Sequence, residues 1–148
     1  MQEFVKVFFS SLHREYLKPR GYQKVRFTFW RDMDGYIERI QFQGSSWNAS
    51  TGSWRFYINF GVSFPDIPPG VPNRGFPGTH CQARIEHLTT NSPSEFDLPE
   101  NCDAEFAQKI IEYVAVASSR VAEQINFVRQ NYEQKKSCLL RLSESSSR

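Results

Sequence analysis

Six apolar side chains fall on every second position from Trp54 to Phe64. Trp54, Phe56, Ile58, Phe60, Val62 and Phe64 alternate with Arg55, Tyr57, Asn59, Gly61 and Ser63. On a helix these six would spiral round the axis. On a strand they share one face. The segment is therefore read as a long strand with one buried face, and such a strand needs a sheet around it.

The same period recurs upstream. Val25, Phe27 and Phe29 alternate with Arg26, Thr28 and Trp30, which predicts a strand. The Asp34-Gly35 pair is a strong hairpin signal. A second strand follows, from about Tyr36 to Gln43, with Ile40 and Phe42 on its apolar side. A fourth strand is predicted from about Cys81 to Leu88. Between them, GSSWNASTGS around Trp47 reads as a polar loop, and PDIPPGVPNRGFPG from residue 65 reads as a long proline-rich loop. TTNSPSEFDLPEN, after the fourth strand, reads as a polar segment.

Both ends change to helical spacing. Phe4, Val5, Phe8, Phe9, Leu12 and Tyr16 form one stripe over residues 2 to about 18, which Pro19 and Gly21 end. Phe106, Ile110, Val114, Ala117, Val121, Ile125 and Val128 form another over about 104 to 134, with Asp103 as its N-cap or an early acid. That length predicts a break near Ser118-Ser119. Helix, four sequential strands and helices make a two-layer α+β fold: a four-stranded antiparallel meander sheet with the N-terminal helix and C-terminal helices packed on one face. One domain is expected over 1–142, with a frayed polar tail at 143–148.

With 13 Phe against 7 Leu, the core is expected to be built from rings. The formal charge of +2 makes no strong electrostatic claim on nucleic acid or membrane. No apolar run reaches membrane-span length, and the N-terminus lacks a signal-peptide pattern. Cys81, Cys102 and Cys138 are widely spaced and odd in number, so they read as three reduced thiols in a cytoplasmic protein, with no metal site. No cofactor motif appears.

If the apolar side chains face the helices, the opposite face carries Arg26, Thr28, Trp30, Arg39, Gln41, Gln43, Arg55, Tyr57, Asn59, Arg84 and Glu86. Guanidinium forks bind carboxylate or phosphate, and rings offer stacking platforms. An antiparallel sheet commonly solvates one face, so the mix is also compatible with a plain exposed surface. The predicted ligand-binding residues are Arg39, Gln43, Trp47, Arg55, Tyr57, Asn59 and Arg84. Arg55 and Arg84 would supply charge, Gln43 and Asn59 orientation, and Trp47 a hydrophobic anchor.

Catalytic signals are weak. His80 and Cys81 are adjacent, so on a strand they point apart. Asp32 and Asp34 suit the hairpin turn between them. Glu95, Asp97, Glu100 and Asp103 read as a solvated loop leading into a helix N-terminus. Asn48-Ala49-Ser50 fits a glycosylation sequon, which means little without secretion.

The stretch GYQKVRFTFWRDMDGYIERIQFQGSSWNAS, followed by WRFYINFGVSFP, resembles the bacterial family called domain of unknown function 4304. That family's pattern is a helix, a GF-K-K…F-R strand, INFQ-S-WN, then F-INLGVY-P. Gly21-Tyr22, Lys24, Phe29 and Arg31 match the first part. Ile40 to Gln43, Ser46-Trp47-Asn48 and Phe56 to Val62 match the rest. Cys81 to Ile85 stands in the place of a later Arg-bearing strand. Gln41 stands where the pattern has Asn. The resemblance covers about residues 1–90 and implies a fold rather than an activity. A loose association of such proteins with toxin-immunity neighbourhoods admits an immunity- or adaptor-like role.

The expected function is a non-enzymatic binding module, with no cofactor, for a protein partner or a small anionic ligand. The alternative is an enzyme on a phosphate- or carboxylate-bearing substrate, with Glu86 or His80 moving protons.

Overall fold

The computed structural model describes residues 2–49, 52–67 and 79–134. The chain runs α1 (Glu3–Leu12), β1 (Gln23–Val25), β2 (Thr28–Asp32), β3 (Ile37–Gly44), β4 (Trp54–Ser63), β5 (Cys81–Arg84), β6 (Phe96–Leu98) and α2 (Ala104–Glu133). The strands form one antiparallel sheet in the order β1-β2-β3-β4-β5, with β6 also pairing β4. The α+β class and antiparallel sheet agree with the expectation, but the sheet has six strands rather than four.

The extra strands come from two places. The predicted first strand is two strands: Arg26 takes a positive φ of 57°, and the chain turns there so that Val25 pairs with Thr28. Val25 is consequently 62% exposed and does not face the helices, while Phe27 is only partly buried. The polar segment after residue 88 hides β6, whose Phe96 and Leu98 are buried beside Phe56 and Trp54 of β4. The predicted fourth strand stops at Arg84, and Ile85–His87 form a 3-10 turn that takes Glu86 off the sheet.

The stripe of α1 buries Val5, Phe8, Phe9 and Leu12. Beyond Leu12 the helix widens into a π turn at His13–Leu17 and then tightens into a 3-10 turn at Lys18–Arg20, and Gly21 ends it at φ 92°, a conformation that glycine adopts without a Cβ clash. Phe9 lies against the rings of Phe27, Phe42, Trp54 and Phe56, with centroids 4.9–5.9 Å away. Such edge and tilted contacts suit ring quadrupoles. Helix α2 is capped by the Asp103 carboxylate, which accepts from the Phe106 N–H. It runs unbroken through Ser118-Ser119, against the predicted break, because Ser118 is buried and bonded to the sheet.

That bond belongs to a buried polar group on the helix-facing side. Glu38 is 0% exposed. Its carboxylate accepts from the Tyr22 hydroxyl, the Ser118 hydroxyl and Arg31 Nε, the last at 2.9 Å. Burial, then the Glu38 charge, pushes the Tyr22 phenol far above its ordinary range.

Cys81 is disulfide-bonded and Cys102 is free, which corrects the reading of three reduced thiols. The predicted loop at 65–79 lies outside the described residues over 68–78, as do the tail at 143–148 and Cys138. Among the described residues, no helix is long and apolar enough to cross a membrane.

Candidate functional site

The outward sheet face is assembled by register. Thr28 stands opposite Gln41, Gln41 opposite Asn59, and Asn59 opposite Arg84, one row across β2, β3, β4 and β5. A parallel row sets Trp30 opposite Arg39 and Arg39 opposite Gly61, and Gln43 stands opposite Tyr57. Adjacent strands lie about 4.8 Å apart, so side chains in a row are within mutual reach. Gln43, Tyr57, Asn59 and Arg84 are thus brought together, and Gln41 joins them.

The contacts at the centre are specific. The Asn59 amide donates from Nδ2 to Gln41 Oε1 at 3.0 Å and to Gln43 Oε1 at 2.9 Å. Both Asn59 amide protons are used, and the NH2 groups of both glutamines remain as donors. The Arg84 guanidinium lies over the Tyr57 ring, 4.2 Å from its centroid. Among the described residues Arg84 makes no ion pair. The cluster presents a ring-held cation beside two carboxamide NH2 groups, which together suit a carboxylate or another planar anion.

The other arginines of the predicted face are placed differently. Arg39 is only 6% exposed; its Nε donates to Ser63 Oγ at 3.3 Å, and burial lowers its pKa from the ordinary value. It is therefore not part of an open surface. Arg55 is exposed, but Asp97 and Glu95 neutralise it, at 3.0 and 3.3 Å. The hydrogen bonds that its guanidinium donates to the Asp97 carboxylate are the main cause of its raised pKa. Arg26 sits in the turn between β1 and β2.

Trp47 is 91% exposed in the β3–β4 loop, away from the Asn59 row. It lines a small cleft of about 150 Å³ with Ser45, Asn48, Arg55 and Asp97. That volume is below the roughly 300 Å³ at which small-molecule sites begin. Asn48 shapes this loop: its Nδ2 donates to the Arg55 carbonyl and its Oδ1 accepts from the Arg55 N–H, both at 2.7 Å. Its amide does the work of one more strand residue.

Neither proton carrier of the enzyme alternative joins the Arg84 cluster by register. His80 Nδ1 accepts from the Phe64 N–H at 2.9 Å, and desolvation lowers its pKa. Glu86 is in the 3-10 turn beyond Arg84. Among the described residues no group of three His, Cys, Asp or Glu could hold a metal.

Two features of the site escaped sequence reasoning. Gln41 shares the predicted face without belonging to the predicted binding residues, although its position opposite Asn59 follows once register is known. The neutralisation of Arg55 depends on β6, which the polar character of its surroundings concealed.

A family model described as a domain of unknown function, DUF4304, matches residues 13–115. The match spans all six strands and every residue of the outward cluster, and it ends within α2 before Ser118. No curated protein and no solved structure matches the chain.

Proposed function

The chain belongs to the DUF4304 family, and from there we propose that it is a binding module whose outward sheet face captures a carboxylate presented by a protein partner. The observation that carries this reading is the Arg84 guanidinium held on Tyr57 with no carboxylate partner among the described residues, beside Asn59, Gln41 and Gln43. A hydrogen bond to a charged group contributes about 1.5–3 kcal/mol, so a few such donors give modest affinity. Stacking on Tyr57 reduces the rotamer freedom that Arg84 would lose on binding. An immunity- or adaptor-like role fits a surface that holds without reacting.

The test is a titration of side-chain amide resonances in uniformly 15N-labelled protein. The probes are a blocked Glu-rich hexapeptide, citrate and inorganic phosphate. Saturable shifts of the Gln41, Gln43 and Asn59 amides by the hexapeptide, lost in Arg84→Ala and kept in Arg55→Ala, support the proposal. Phosphate or citrate acting where the peptide does not would replace the protein carboxylate by a small anion. Indifference of all three amides to every probe would overturn the reading.

A further inference from the structure

On the helix side of the molecule, a groove of about 610 Å³ runs along α1 and past the start of α2. Its floor includes Phe4, Val7, Phe8, Leu12 and Ala107. Phe8 also meets Phe106 of α2, with ring centroids 5.7 Å apart, and so ties the two helices together beside it. Val7 is 58% exposed, so the floor reaches the surface as an apolar patch. From Glu3 to Tyr16 the groove follows fourteen residues, roughly 20 Å at the helical rise.

The rim carries one sign of charge. Glu3 and Glu15 stand on the α1 side, Glu100 and Asp103 on the side leading into α2. Among the described residues no Lys, Arg or His lines the groove, although the chain as a whole is positive by two charges. Acidity here is local, not a reflection of net charge.

We propose that this groove docks a cationic amphipathic helix of a partner protein. An apolar floor edged on both sides by carboxylates is complementary to one occupant chemistry: an apolar stripe flanked by Lys or Arg on either side. A helix with anchors at i, i+3, i+4 and i+7 supplies that pattern over this length. The groove lies across the sheet from the Arg84 cluster and is independent of it.

The probe is a fourteen-residue Leu/Lys peptide patterned at helical spacing, labelled for fluorescence anisotropy. Its controls are the same composition in scrambled order and a Leu/Glu counterpart. The patterned peptide is expected to bind saturably, and roughly tenfold more tightly than either control. Val7→Lys, and Glu15→Lys with Glu100→Lys, should each weaken it by about tenfold or more, while Arg84→Ala leaves it unchanged. Lys is a good helix former, so these exposed changes should not unfold α1. Cys102 is free and lines the groove, so the bound peptide should also slow its reaction with a thiol reagent. Equal binding of patterned and scrambled peptides, or indifference to Val7→Lys, would overturn the proposal. So would dimerisation without peptide that Val7→Lys abolishes, since the occupant would then be a second copy.

Discussion

Ser118 of α2 donates a hydrogen bond to the Glu38 carboxylate of β3, eighty positions earlier in the chain. The carboxylate is wholly buried, and Tyr22 and Arg31 donate to it as well. A buried charge is tolerable only when paired and hydrogen-bonded. The arrangement ties the middle of a thirty-residue helix to one place on the sheet.

Ser118→Ala should therefore cost about 1–3 kcal/mol, since it leaves the carboxylate one donor short. Urea denaturation reads this directly. In a Glu38→Gln background the same substitution should cost less, because the charge that needed the donor is gone. Additive costs in the double mutant would show that the two side chains are not coupled.

Gly44 has no room for a side chain. A Cβ there would drive into the indole of Trp54, which is itself buried against Phe56, their rings 5.8 Å apart. Gly44→Ala should destabilise by about 1–3 kcal/mol through overpacking. Trp54→Phe, which shortens the ring, should recover part of that loss. A Gly44→Ala protein as stable as the parent would contradict this packing.

His80 makes stability depend on pH. Desolvation holds its folded-state pKa below the ordinary value of 6.5, and its Nδ1 must stay unprotonated to accept from Phe64. The unfolded chain takes up the proton first as pH falls. The His80 contribution is thus present above about pH 6.5 and is lost as pH drops through the lower folded-state value. Urea midpoints measured from pH 7.5 to 5 should decline, and His80→Asn, which keeps an acceptor but does not titrate, should flatten this decline. Parallel profiles for the two proteins would remove His80 as the cause.

Asn59→Asp should abolish carboxylate capture while leaving the fold intact. It sets a carboxylate directly opposite Arg84 and occupies the cation internally, as Asp97 already does for Arg55. The amide titration proposed above is the measurement, with thermal unfolding as the control for folding. Undiminished binding would mean that Arg84 is not the charge that the ligand meets.

Much of this structure is local enough to be read along the chain. The alternation from Trp54 to Phe64 decides which side chains of β4 face the helices, because neighbours two apart on a strand are covalently committed to one side. The α1 stripe, the Asp34-Gly35 hairpin and the Asp103 cap are equally local. They also place Tyr57, Asn59 and Arg84 on the outward face. What tertiary structure decided is which of those side chains keep their charge in the open. Arg55 and Arg84 look alike in sequence, but Asp97 arrives beside Arg55 only when β6 pairs with β4, forty-two positions on. Arg39 shares the outward parity and is nonetheless buried, while Glu38, its neighbour, is buried on the other side by groups from Tyr22, Arg31 and Ser118. The period of a strand chooses a face; the partner of a charge depends on chain segments that meet only when the whole fold closes.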